Sequence, residues 1–250
     1  MKMATIISTL LFNGSVSIDH LSLETIVENM SGTENEPLAK KPKTDESSDT
    51  NTHVVYTNLD LVPRFTGPKL EDMTEEQRKI RDTILANRPG TGLTGPFGPW
   101  LSVPEIARTS EKLGRAVRYG TSLSRRESEL VVLLTGSKSR CGTEIDVHVG
   151  EGLKAGLTMN IISAIPKFDA FSKAAVEELV IPLLQNEREK AIARYTAELL
   201  DNYTVCDATY ESTKVALGDK DSILVEITSI IGYYTYGAYM LNAFRIPSKK

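Results

Sequence analysis

The chain has 250 residues, 40% of them hydrophobic, and a formal net charge of −4. It is long enough to bury one full core, and its acidic balance argues against nucleic acid or an anionic membrane as a main partner. With only two cysteines there is no disulfide framework, which points to a reducing compartment, and no apolar run approaches the ~20 residues of a membrane-spanning helix.

Met1–Phe12 has the outline of a short signal peptide, but Thr and Ser dilute its apolar core and no small-residue cleavage pattern follows. A cytoplasmic location is therefore expected, with secretion as the alternative and Met30 as a second possible start. Asn13, Asn29 and Asn202 each open a glycosylation triplet of a kind that chance also supplies. Residues 31–54 are polar and charged and cannot offset their ordering entropy by burial. Lys40-Lys41-Pro42-Lys43 within them reads as a solvated charge cluster rather than a nuclear address. Residues 1–54 are thus expected as a disordered or processed tail, and residues 55–250 as one helical domain.

Thr74-Glu75-Glu76-Gln77 is a capping box that should start a helix continuing through Arg78–Ala86. Residues 88–100 are dense in Gly and Pro, so a rigid loop is expected, with Trp100 either walling a ligand pocket or anchoring the loop. Pro104 opens a helix to about Tyr119, with Ile106, Leu113 and Val117 at helical spacing. Ser124 caps the next element, in which Glu129 precedes the apolar run Leu130–Leu134, and Thr135-Gly136-Ser137 reads as its turn. A helix over Cys141–Ala155 should stop at Gly156. Thr158–Ala164, Lys167–Leu184 after a break at Pro166, Glu187–Leu200 and Asp207–Leu217 complete a helical series with hardly any period-2 alternation. The stretch from Asp221 to Asn242 echoes the segment at Glu129: an acidic residue, an apolar run, a glycine at Gly232, then a second helix. This suggests two related halves, the second without Cys and His.

Cys141, Glu144 and His148 fall on one helical stripe. Cys141 at a helix start, after Lys138 and Arg140, has the setting of a lowered thiol pKa, against the plain alternative of a small buried residue. Glu144 either complements the helix dipole or orients His148, whose imidazole is suited to acid–base work. Glu129 beside an apolar run is a candidate proton donor or relay, or a carboxylate pointing to water. The spacing of Cys141, Glu144 and His148 matches no standard zinc motif, so no metal or cofactor is expected.

At these residues the sequence resembles the carboxymuconolactone decarboxylase family, which includes alkyl hydroperoxidase D. The resemblance runs from about Arg88 to Pro247 through Gly95-Pro96-Phe97, Leu101–Glu105, Arg118–Leu123, Glu129, Cys141-x-x-Glu144-x-x-x-His148 and Gly232–Phe244. It implies an all-α helical bundle of the alkyl hydroperoxidase D type that assembles as a trimer or hexamer. The hydroperoxidase branch uses Cys-x-x-Cys-x-x-x-His with an upstream glutamate; here Cys141, His148 and Glu129 match, but Glu144 replaces the resolving cysteine. The decarboxylase branch has Glu-x-x-x-His, as at Glu144 and His148. The resemblance thus implies a cofactor-independent lyase acting on a small molecule, with His148, Glu144, Cys141 and Glu129 as catalytic candidates. Arg118 would hold a substrate carboxylate. A peroxidase using Cys141 and a non-enzymatic oligomer are the alternatives.

Overall fold

The computed structural model describes residues 62–88 and 92–248. The tail, the triplets at Asn13 and Asn29, and the lysine cluster lie outside them. Among the described residues there are ten α-helices, three short 3-10 turns and no strand. No helix among them is long and apolar enough to cross a membrane.

Thr74 forms the expected capping box with Gln77 and starts α1, Glu75–Asn87. The Gly/Pro-rich segment departs from expectation, because Phe97–Trp100 closes one helical turn, α2. Pro is tolerated there because a first turn has no intrahelical acceptor for its missing N–H. Helix α3 spans Pro104–Tyr119 with Pro at its start. Val117 is buried, but Ile106 and Leu113 face outward, so the apolar spacing there is not the core stripe.

Ser124 and Glu127 form a second capping box at the start of α4, Arg125–Lys138. Every residue from Glu127 to Ser137 is buried. A helix buried on all sides belongs at the centre of a bundle, and α4 packs against α5 (Gly142–Lys154), α8 (Glu187–Asn202) and α10 (Asp221–Phe244). Burying each Leu or Val of its apolar run contributes roughly 1.5–3 kcal/mol. The turn falls later than the sequence suggests, at Ser139 and Arg140, where Arg140 adopts φ +52°. Gly136 stays helical because Ile145 packs close against its bare Cα, at 3.1 Å from where a Cβ would lie.

Gly156, with φ +92°, ends the turn after α5 as expected. Helix α6 is Met159–Ala164, whereas the segment expected over Lys167–Leu184 is broken. It becomes 3-10 turns at Phe168–Ala170 and Ile181–Leu183 around α7, Lys173–Leu179. Pro182 lies in the second turn and cannot donate into a continuing helix. Helix α9 is Asp207–Ala216. The supposed second copy is not a helix pair: α10 runs unbroken for 24 residues through Gly232 and Gly237. Packing against α3, α4 and α5 overrides the glycines' weak helix propensity.

Candidate active site

The site forms where the end of α3, the start of α4, one face of α5 and the middle of α10 meet. His148, on α5, is 5% exposed. Its Nδ1 lies 2.6 Å from Glu129 Oε2. Glu129, on α4, is 1% exposed, and its other oxygen accepts from Arg125 Nη2 at 2.9 Å. A carboxylate at Nδ1 favours the tautomer that carries its proton there and leaves Nε2 for chemistry. Glu144 Oε1 stands 3.6 Å from Nε2, beyond a direct hydrogen bond. Glu129, rather than Glu144, is therefore the carboxylate that orients the imidazole.

Burial pushes the Glu144 carboxyl above its ordinary value, against the pull of His148 and Arg118. Two buried carboxyl groups thus flank one imidazole, with Arg125 as the ion-pair partner of Glu129. The Tyr234 ring meets His148 edge-on at 5.1 Å, and Arg118 Nη1 donates to its hydroxyl at 3.1 Å. Burial raises this phenol to about 12, so it stays protonated at neutral pH.

His148, Glu144, Arg118, Tyr233 and Tyr234 line a cavity of ≈ 490 Å³ with Arg88 and the segment Thr94–Phe97. This is the size of a small-molecule site. Arg118 is at the cavity, as expected, but its two terminal nitrogens already serve Tyr234 and Glu151.

Two candidates are placed elsewhere. Cys141 is the N-cap of α5 and is 0% exposed, packed with Ala238, Leu241 and Ile246. The expected cations turn away: Lys138 pairs with Asp201 and Arg140 with Asp169. Burial, reinforced by Glu144, pushes the thiol up to about 12, the reverse of an activated cysteine. Trp100 is 1% exposed, stacked on Tyr236 at 5.0 Å and edge-on to Phe97 at 5.5 Å. It anchors the segment and does not line the cavity. The tyrosines of α10 were readable only as a group that packs or lines a pocket. Arg125 carried a legible signal, four residues before Glu129 on one helical face. Among the described residues, no group of three or more His, Cys, Asp or Glu is disposed around a common metal position.

A buried histidine–carboxylate pair thus lies at the wall of a cavity among the helices. Residues 104–179 match the carboxymuconolactone decarboxylase family. No curated protein matches the sequence. The fold is similar to that of a protein of unknown function from Agrobacterium tumefaciens, suggested to be the antioxidant defence protein AhpD. That likeness has a TM-score of 0.51 and 19% identity, over 63% of this chain and 99% of that one. It is also similar to an uncharacterized peroxidase-related protein from a Silicibacter species, with a TM-score of 0.56 and 14% identity over 75% and 92% of the two chains. A third, an alkylhydroperoxidase AhpD core from Ralstonia eutropha, has a TM-score of 0.55 and 15% identity over 76% and 94%. At these identities the likeness concerns the fold.

Proposed function

We propose that the chain is a cofactor-independent lyase of the carboxymuconolactone decarboxylase type, with His148 as its proton-transfer group and residues 55–250 as its catalytic domain in the cytoplasm. The observation that carries this reading is the 2.6 Å contact of Glu129 with Nδ1, which frees Nε2 beside Glu144 at a cavity. In the reaction, the bond between the substrate's carboxylate carbon and its neighbour breaks. The electron pair passes into the conjugated lactone as a dienolate, and carbon dioxide leaves. The ring takes a proton from solvent at Nε2, becoming an imidazolium, and Nε2–H then protonates the dienolate, which returns the ring to its starting neutral form. Glu129 stabilises the ring while it is charged, and Glu144 stands ready as a second proton source. Tyr234, held by Arg118, contributes a neutral donor toward developing negative charge.

The apolar side chains of Val103, Ile106 and Leu113 exposed around α3 support self-association, as a trimer or hexamer. Loss of ultraviolet absorbance from a carboxylated unsaturated lactone tests the activity. Turnover abolished in His148→Ala, with the oligomer intact by light scattering, is the expected result; turnover that survives the substitution refutes the assignment.

A thiol-dependent peroxidase is the second reading, favoured by the names of the structural neighbours. It requires Cys141 to become exposed and ionised. Thiol-dependent peroxide consumption that disappears in Cys141→Ser would establish it in place of the lyase.

A further inference from the structure

One cation of the cavity has two buried nitrogens without an acceptor among the described residues. Arg88, which caps α1, is 8% exposed and lines the cavity, yet its Nε and Nη2 have no hydrogen-bond partner among the described residues. These two nitrogens form one edge of the guanidinium, the edge that grips a carboxylate in a fork. The protein uses that edge twice elsewhere. Arg126 donates Nε and Nη2 to the two oxygens of Glu189 at 2.8 and 3.4 Å. Arg194 does the same with Glu177 at 2.8 and 2.7 Å.

A guanidinium is a permanent donor, and two of its buried N–H groups left without acceptors are costly. The Phe97 ring, 4.7 Å from its Cζ, covers one face of the group but supplies no acceptor. The nearby buried carboxylate Glu111 accepts from Asn87 Nδ2 at 3.0 Å. Beside Arg88 the backbone is bare: a Cβ on Gly114 would clash with the Tyr233 hydroxyl and fall 2.9 Å from Arg88 Nη2. Burial raises the Tyr233 phenol above its ordinary value, so it is a protonated donor at this same point. Arg118, by contrast, is already engaged by Tyr234 and Glu151.

We infer that Arg88, rather than Arg118, receives the carboxylate of the cavity's ligand on its Nε/Nη2 edge, with the Tyr233 hydroxyl as a further donor. This deepens the lyase reading and rests on its placement of substrate in the cavity. Both nitrogens are closed to solvent. Entry of the anion therefore shifts the segment Thr94–Phe97, which walls the cavity beside them. Trp100, the only tryptophan of the chain, touches Phe97 and reports that shift.

Cyclohexanecarboxylate, which is transparent in the near ultraviolet, is titrated at constant ionic strength against the full chain while Trp100 fluorescence is followed. Cyclohexanecarboxamide serves as the uncharged control. The expected result is a saturable change with the acid only. Arg88→Lys keeps the charge without the fork and should weaken binding at least tenfold; Arg88→Met should abolish it while the melting temperature of the unliganded protein stays level or rises. Equal response to the amide, no saturable response at all, or affinity kept within twofold in folded Arg88→Lys and Arg88→Met overturns the inference. His148→Ala separates the two readings: carboxylate binding should persist there, so lost turnover with intact binding bears on the lyase alone.

Discussion

Glu129 Oε2 lies 2.6 Å from His148 Nδ1, and the two residues come from different helices, α4 and α5. A buried carboxylate so placed fixes both the tautomer and the direction of the imidazole. Glu129→Gln should therefore reduce lactone turnover about 100-fold or more with little change in KM. Nitrogen NMR of the histidine ring should show the Nδ1–H tautomer in the unsubstituted protein and its loss in the variant. An unchanged tautomer and rate would remove Glu129 from the mechanism.

The thiol of Cys141 should be inert. Iodoacetamide at pH 8 should label exposed Cys206 and leave Cys141 unmodified in the folded chain, as peptide mass spectrometry would show. With the thiol pushed up to about 12, its labelling should remain slow to well above neutrality. Rapid modification of Cys141 at pH 7 would contradict its burial and revive the peroxidase reading.

Glu144 gives a pH-dependent stability difference whose sign is fixed. Its folded-state value is raised, so it contributes most below the ordinary carboxyl value and loses that contribution as pH rises through the folded value. Glu144→Gln, which keeps the neutral shape, should melt close to the unsubstituted protein at pH 4 and above it at pH 8. A melting difference that does not grow with pH would mean that Glu144 is not desolvated.

Glu198 should behave in the opposite sense. Burial alone would raise it, but Lys173, Thr209 and the Cys206 backbone N–H donate to it and hold it down at about 2. Its contribution is present above the ordinary carboxyl value and is lost as pH falls through about 2. Glu198→Gln should cost about 2 kcal/mol at neutral pH, and denaturant midpoints should show the gap closing on acidification.

Trp100→Phe should retain turnover, because the ring packs beneath the cavity wall without reaching the ligand. Trp100→Ala should destabilise the fold by about 3–5 kcal/mol, seen as a lower denaturant midpoint. A large rise in KM for a well-folded Trp100→Phe would return this residue to the binding site.

The helices were legible wherever local chemistry decides them. Thr74 announces its capping box, Ser124 its cap, Pro104 its first turn and Gly156 its stop. The residues Glu129, Glu144 and His148 were legible too, from spacing and from the resemblance together. What the spacing could not show is which carboxylate reaches the ring. That depends on how α4 packs on α5, a tertiary choice that places Glu129 closer than the residue one turn away. Cys141 misled because a helix start beside two cations suggests an acidic thiol, whereas Lys138 and Arg140 are claimed by Asp201 and Asp169 from distant parts of the chain. Gly232 misled because propensity names it a terminator, whereas the buried residues on either side of this exposed glycine, Ile230, Ile231, Tyr233 and Tyr234, hold the helix in the bundle. Arg88 carries no local signal, since its interest lies in what it lacks.

Helix α10 supplies Tyr233, Tyr234, Gly237 and Leu241 to the cavity wall, Tyr236 to the stack on Trp100, and Ala238 to the packing around Cys141. One rod thus serves several surfaces, and each residue along it is turned about 100° from the last. Inserting a single alanine between Asp221 and Gly232 would change no side chain of the site. It would nonetheless rotate Tyr234 off His148 and Tyr233 off Arg88 together, so the phase of this one screw carries the pocket as much as any residue within it.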